Sequence, residues 1–258
     1  MIDLHSHILY GLDDGAATLE EALAMCRMAA ADGIQVIAAT PHSPTSPAGH
    51  NYDPALIRER MAELRAALAA EGTTLELVAG TEIYYDARVA EQLRRGALLP
   101  YADSHAVLLE LSHSAPPPLI EQAVFAVQAA GYRVVLTHPE RIAAVQQDPN
   151  TLLPLAERGA LVQLTGAALT GEQGERLRAT AEALLTHGMA HVLASDAHGT
   201  PPRRAPVLSA ARDRAAALVG AEAAEALVST TPAAILRGAP LHLPPPRPVE
   251  RARWRLWR

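Results

Sequence analysis

His5 and His7 stand two residues apart near the start of this 258-residue chain. On an extended segment, residues i and i+2 point to the same side, so the two imidazoles can grip one ion together. The segment S-D-A-H repeats the spacing with Asp196 and His198. Asp14, His42, Glu82, Glu110 and His138 complete a set of side chains whose shared chemistry is metal coordination. Mixed imidazole and carboxylate donors suit Mn2+, Zn2+ or Fe2+, and a set of this size suits two or three ions. The one cysteine, Cys26, offers no thiolate cluster for a structural zinc site. A cysteine nucleophile partnered by an arginine six positions on is excluded as well, because that position is Asp32. Cys26 reads as a small buried hydrophobe on a helix.

These side chains need elements to position them. Short runs rich in Val, Ile and Leu recur between longer alanine-rich stretches and predict seven strands, near 2–5, 35–40, 75–80, 105–110, 132–137, 160–165 and 190–195. Gly33, Gly72, Gly131, Gly159 and Gly188 read as helix stops. Helix starts are expected at Thr18, with Glu21 as a capping box, and at Asp53, Asp148 and Thr231, each before a proline. Strict alternation of strand and helix argues parallel βαβ units, and near-continuous apolar strands argue burial on both faces. No G-x-G-x-x-G or G-x-x-x-x-G-K-[ST] loop follows a strand, which disfavours a nucleotide-binding open sheet and favours a barrel. A barrel builds its site at the C-terminal ends of its strands. There the candidate ligands fall: His5 and His7 at the first strand, His42 past the second and Glu82 past the third. Glu110 ends the fourth, His138 follows the fifth, and Asp196 and His198 follow the seventh. Asp14 lies in the first loop.

Hydrophobic residues make up 49% of the chain and charged ones 19%, enough for a sizeable core and too little charge for a disordered chain. Aromatics are 3%, so the core is aliphatic. A net charge of −6 has the wrong sign for holding nucleic-acid phosphates. The chain contains no lysine, a bias from which nothing functional follows. A single cysteine fits a reducing compartment, and the start MIDLHSH shows no basic segment followed by a long apolar run, so the cytoplasm is the expected location. From about residue 241 the proline-rich, basic stretch ending in RARWRLWR reads as a tail on a single domain of 1–240.

The segments MIDLHSHILYGLDDG, ATPH, GTEIYY, LLEL, THPER and SDAH resemble the PHP (polymerase and histidinol phosphatase) superfamily, and within it the bacterial capsular-polysaccharide branch of manganese-dependent tyrosine phosphatases. The resemblance covers about residues 1–240. It implies a distorted seven-stranded (β/α)7 TIM-like barrel holding three metals, most often Mn2+, with Zn2+, Fe2+ or Co2+ as substitutes. His5, His7, Glu82 and Asp196 would hold the first ion; Glu82, Glu110 and His138 the second; Asp14, His42 and His198 the third. His42 thereby joins the catalytic candidates. The implied chemistry is attack on phosphorus by a metal-bridging hydroxide, without a covalent enzyme intermediate. Arg141, directly after T-H-P-E, is the first candidate to clamp the phosphate, and one of Arg203 or Arg204 the second.

The branch implies a substrate in the phosphotyrosine tail of a bacterial tyrosine kinase that controls capsular or exopolysaccharide synthesis. Histidinol-phosphate phosphatase is the alternative enzyme, disfavoured by the GTEIYY and HPER contexts; a PHP phosphodiesterase comes next. A non-catalytic metal-binding module is disfavoured by the complete ligand set. His50, His105, His113, His187, His191 and His242 are read as structural or solvated, and Tyr84 and Tyr85 as either pocket or packing residues. Arginines and tryptophans paired in RARWRLWR would suit weak contact with an anionic membrane face, beside a membrane-embedded kinase, although a disordered, solubilising end is the simpler reading.

Overall fold

The Val-, Ile- and Leu-rich runs form parallel strands that are buried along almost their whole length. A computed structural model describes residues 1–102 and 104–250. The RARWRLWR segment proposed to touch a membrane lies outside the described residues. Among those described the strands are β1 (Ile2–Ser6), β2 (Val36–Ala39), β3 (Glu76–Ala79), β4 (Glu82–Tyr84), β5 (Ala106–Glu110), β6 (Arg133–Thr137), β7 (Leu161–Thr165) and β8 (Val192–Ala194). The helices between them are α1 (Leu19–Ala31), α2 (Pro54–Glu71), α3 (Val89–Arg94), α4 (Pro117–Ala129), α5 (Ala143–Gln147), α6 (Leu153–Glu157), α7 (Gly166–Thr170) and α8 (Glu175–Thr186). Helices α9 (Ser209–Val219), α10 (Ala221–Val228) and α11 (Thr230–Leu236) follow the last strand.

The expected α/β alternation is present, with one more strand than predicted. The third run breaks at Gly80-Thr81, and Glu82 starts a new strand instead of trailing the old one. Glycine is required at the break, where a Cβ would sit 3.0 Å from the Tyr101 ring and 3.2 Å from the Thr40 methyl. The strands therefore form two parallel sheets, β1-β2-β3 and β4-β5-β6-β7-β8. They meet at both edges through isolated bridges, Ser6 with Ala197 and His42 with Glu82.

Local signals behaved as their chemistry requires. Thr18 caps α1 by accepting from the Glu21 amide, Glu21 reaches back to the Ala17 amide, and Asp53 and Asp148 accept from amides two residues on. Gly72 closes α2 at φ 72, and the other expected stops also have positive φ. Thr231 is not a cap. The chain breaks at Ser229 (φ −137, ψ −80) and α11 resumes at Thr230, leaving Thr231 inside the first turn.

One apolar cluster packs the strands against the surrounding helices, and a smaller one, built on Leu4, Ala38, Val78, Leu108, Val135 and Val192, fills the space between the strands. The segment from 241 is not free as far as Glu250. Leu241 and Leu243 pack against the inner cluster, Val249 is buried, and the Arg247 amide donates to the His187 carbonyl at 2.8 Å. Asn150 holds both the carbonyl and the amide of Val249. Proline removes donors but not apolar side chains, which is why a proline-rich stretch can still pack.

Candidate metal centre

The C-terminal ends of the strands converge on a buried cluster of imidazoles and carboxylates. His5 is aimed there by an irregularity in β1, whose register against β2 shifts between Asp3 and Ser6. A regular strand would send neighbouring side chains to opposite faces, yet Leu4 joins the inner apolar cluster and His5 Nδ1 also reaches inward, to Gln163 Oε1 at 2.9 Å. His5 Nε2 and His7 Nε2 lie 3.2 Å apart, and both are 3.3 Å from Glu82 Oε2. Asp196 Oδ1 stands 3.3 Å from the first and 3.6 Å from the second.

Glu82 is the hub. His138 Nε2 lies 2.9 Å from its Oε1, and His42 Nδ1 lies 3.0 Å from its Oε2 and 3.6 Å from Glu110 Oε2. On the outer side, Asp14 Oδ1 is 3.6 Å from His42 Nε2 and 3.4 Å from His198 Nε2, while the His7 and His198 rings lie 4.0 Å apart. Every side chain expected to bind metal falls into at least one of four groups whose donor atoms lie within 4.8 Å of one another. Their membership differs from the one the resemblance implies: His7 joins Asp14, His42 and His198 as well as His5 and Asp196, and Glu82 falls in neither of these groups. Glu110 groups with His42 and Glu82, whereas His138 groups with His5 and Glu82. Asp196 and His198 fall into different groups, as in the ligand set the resemblance implies; the pairing suggested by their spacing is not kept, because the backbone at Asp196 is left-handed (φ 51) and D-A-H is not extended. His138 is left-handed too (φ 31). Non-glycine residues held at positive φ cost about 1–3 kcal/mol each and concentrate at functional sites.

The donor set fits divalent cations. His42 Nδ1, Glu82 Oε2 and Glu110 Oε2 are buried without a hydrogen-bond partner, an expensive state that a cation removes. Burial opposes the ionised form of Glu82 and of Asp196, but the neighbouring His5 charge, with other partners, holds both carboxyls well below their usual range. Burial, then the charges of Glu82 and Asp196, push Glu110 up to about 9. Burial and the Arg141 charge push His138 down to about 4, and burial with the His7 charge pushes His198 down to about 3. Crowded carboxylates beside the imidazoles of His138 and His198, which burial keeps neutral, form a field that draws in positive charge.

An open cavity of about 750 Å³ leads to the cluster. Arg141, on a single turn formed by Pro139–Arg141, donates through Nη2 to Asp196 Oδ2 at 2.6 Å and to Thr165 Oγ1 at 3.2 Å. Arg204 Nη2 approaches the same Oδ2 at 2.9 Å, and its Nε donates to the Asp196 carbonyl. Arg203 is occupied elsewhere: it donates to the carbonyls of Asp14 and Gly15 and pairs with Glu21 at 3.4 Å. Arg204, not Arg203, accompanies Arg141 at the cluster.

The family model for capsular polysaccharide synthesis proteins, CpsB/CapC, matches residues 1–237. The chain belongs to the CpsB/CapC family. It is 35% identical over 203 residues to the tyrosine-protein phosphatase YwqE of Bacillus subtilis, covering 79% of each chain. It is 27% identical over 242 residues to the tyrosine-protein phosphatase CpsB of Streptococcus pneumoniae, covering 92% of this chain and 98% of that one. A crystal structure from work on YwqE and CpsB, described as unique metal-dependent tyrosine phosphatases, superposes with a TM-score of 0.90 at 32% identity, covering 97% of this chain and 100% of that one. The phosphotriesterase of Mycobacterium tuberculosis shares the fold alone, with a TM-score of 0.56 at 15% identity over 91% of this chain and 93% of that one. The resemblance read from H-x-H, D-D-G, H-P-E-R and S-D-A-H thus holds at the level of the CpsB/CapC family.

Several residues that shape the CpsB/CapC centre were missed from sequence. Asp13 Oδ2 lies 2.8 Å from His7 Nδ1 and accepts from the His42 amide at 2.9 Å. Burial opposes its ionisation, but the His7 charge and these hydrogen bonds keep the carboxyl low. Gly15, next in D-D-G, allows a close approach: a Cβ there would fall 2.2 Å from the His7 carbonyl oxygen. Thr137 joins Gln163 behind His5. Asp3 accepts from the Ser195 amide and hydroxyl and from the His5 amide, tying β1 to the segment carrying Asp196. Of the remaining histidines, His113 lines the cavity and Tyr84 does so with it, whereas Tyr85 packs on the core. His191 is buried, its Nδ1 accepting from the Val162 amide, as a structural histidine should be.

Proposed function

We infer that this chain is a metal-dependent protein-tyrosine phosphatase acting on the phosphotyrosine tail of a bacterial tyrosine kinase that regulates capsular or exopolysaccharide synthesis. The observation that carries the reading is the convergence of Glu82, Asp196 and five imidazoles with Arg141 and Arg204 at the foot of an open cavity. Relatives of similar length and named as tyrosine-protein phosphatases support it. His5, His7, Asp14, His42, Glu82, Glu110, His138, Asp196 and His198 would hold two or three divalent ions; imidazole and carboxylate donors without thiolate suit Mn2+, Zn2+ or Fe2+, and the family resemblance points to Mn2+ among them. Such ions, when bound, neutralise phosphoryl oxygens and acidify water toward neutrality.

The chain's own residues do the rest. Asp13 accepts the His7 Nδ1 proton, leaving Nε2 free to face the centre. His198 Nδ1 lies 2.8 Å from the Asp196 carbonyl oxygen and 2.9 Å from Arg204 Nη2, and its Nε2 faces Asp14 at 3.4 Å. Arg141 and Arg204 bring planar donor forks to the mouth of the cluster, where they fix the orientation of a phosphate monoester. Phenolate leaves more readily than an alkoxide, so the leaving group asks little of a general acid. A kinase tail presented at the inner membrane face implies a cytoplasmic enzyme; among the described residues no helix is long and apolar enough to cross a membrane.

The test is phosphate release from a phosphotyrosyl peptide by Mn2+-loaded protein, with EDTA-treated protein and histidinol phosphate run in parallel. Metal-dependent release from the peptide, with little from histidinol phosphate, is expected. Release from histidinol phosphate alone would transfer the site to that substrate.

A further inference from the structure

A second cavity of about 520 Å³ adjoins the first, sharing Arg203 and Arg204 as its wall. Nothing in the phosphatase reading uses it. Most of its lining is apolar, from Met28 on α1, Ala167 on α7, Val207, and Ala210 and Ala211 on α9, with Thr170, Glu172 and Ser195 as polar members beside the two arginines. Val207 is 43% exposed, and among the described residues only Phe125 is a more exposed large hydrophobic. Phe125 stands on the outer face of α4 and lines neither of these two cavities. Val207 is exposed into a cavity next to the reaction centre. Gln173 also lines the cavity.

These features suit one kind of occupant. A phosphotyrosine bound through Arg141 and Arg204 carries a polypeptide past the wall between the two cavities. Each extended residue advances the chain about 3.3–3.6 Å, so a neighbour within about three residues can reach across. An apolar side chain there would cover Val207 and the aliphatic lining around it. An acidic side chain there would meet Glu172 and a basic one the guanidinium groups of Arg203 and Arg204, and either would have to be desolvated against the aliphatic lining.

We propose that the cavity behind Arg203 and Arg204 is a specificity subsite that takes an uncharged, apolar side chain flanking the phosphotyrosine of the substrate. The inference rests on the phosphatase reading and names the substrate feature which that reading leaves open. It is tested with two variants outside the reaction centre, Val207→Asp and Ala210→Leu, the first charging the subsite and the second filling it. Each is assayed with p-nitrophenyl phosphate, which has no flanking residues, and with phosphotyrosyl peptides in which leucine or aspartate is placed in turn at each position within three of the phosphotyrosine. Wild type should prefer leucine over aspartate at one position by about ten-fold or more in kcat/KM, the range of an apolar pocket. Both variants should lose most of that preference while keeping wild-type kcat/KM on p-nitrophenyl phosphate, which also shows that they are folded. Equal losses on both kinds of substrate, or no position at which wild type prefers leucine, would overturn the subsite alone. A wild type that cleaves p-nitrophenyl phosphate but no phosphotyrosyl peptide would overturn the phosphatase reading and the subsite with it.

Discussion

One carboxylate, Asp13, fixes two of the imidazoles, holding His7 through its side chain and His42 through its amide. Asp13→Asn keeps the shape but loses the charge. Outer partners of this kind typically govern metal affinity by about 10–100-fold, so Mn2+ titration of the variant should show a loss of that size, and wild-type affinity would remove Asp13 from this role. Arg141→Ala should lower kcat/KM by about 10²–10³-fold, the magnitude of a lost transition-state donor. Its metal content should stay at the wild-type level by mass spectrometry, because Arg204 still holds Asp196 at 2.9 Å. An unchanged kcat/KM would take Arg141 out of the site. At this scale the sequence was legible where spacing alone speaks: H-x-H and the carboxylates at strand ends were visible as a set. Asp13, Gln163 and Thr137 were not, because they matter through contacts made only when distant loops and strands fold back onto His5 and His7.

Strands were visible as apolar runs, but the two devices that aim the ligands were not. Apolar pattern marks a strand without marking a shift of register, so the irregularity between Asp3 and Ser6 left no trace, and the crowding by Tyr101 and Thr40 that leaves no room for a side chain at Gly80, where the third run breaks, is encoded in no local pattern. Asp3 is the brace across the seam between β1 and β8. Asp3→Ala leaves the buried amides of His5 and Ser195 without their acceptor, and each orphan costs about 1–3 kcal/mol. Urea unfolding should register a loss of about 2–5 kcal/mol; a loss below 1 would mean that other acceptors replace the carboxylate. His191, just ahead of β8, adds a pH dependence. Burial lowers its pKa to about 4, against about 6.5 in the unfolded chain. Its stabilising contribution is therefore complete above pH 6.5 and is lost as pH falls toward 4, where the unfolded state takes up the proton first. The full effect is on the order of 3 kcal/mol, so unfolding free energies at pH 7 and pH 4.5 should diverge more in wild type than in His191→Gln. Equal divergence would assign the acid lability to other groups.

The whole molecule separates its tasks between its two ends. Candidate ligands, both arginines and the open cavity occupy the C-terminal ends of the strands, and the stretch after α11 runs beneath the opposite ends. There Arg133, at the start of β6, donates to the Ala239 carbonyl, and the His187 carbonyl, ahead of β8, accepts from Arg247. Composition suggested a loose tail from 241 because proline-rich, basic sequence usually stays solvated. The apolar residues spaced through it, Leu241, Leu243 and Val249, carried the contrary signal. Fixed proline φ angles leave less chain entropy to lose on docking, so few contacts suffice to hold such a strap. Truncation after Pro240 should therefore cost stability without touching the chemistry. Loss of the buried Val249, the two Asn150 hydrogen bonds and the cover over the inner cluster, offset by the freed chain, predicts a decrease of about 2–4 kcal/mol. A thermal melt should shift down while metal content and kcat on p-nitrophenyl phosphate, measured well below the new midpoint, stay at wild-type values. An unchanged midpoint would show that the strap rests on the strand ends without supporting them, and a fall in kcat with intact fold would connect it to the distant site.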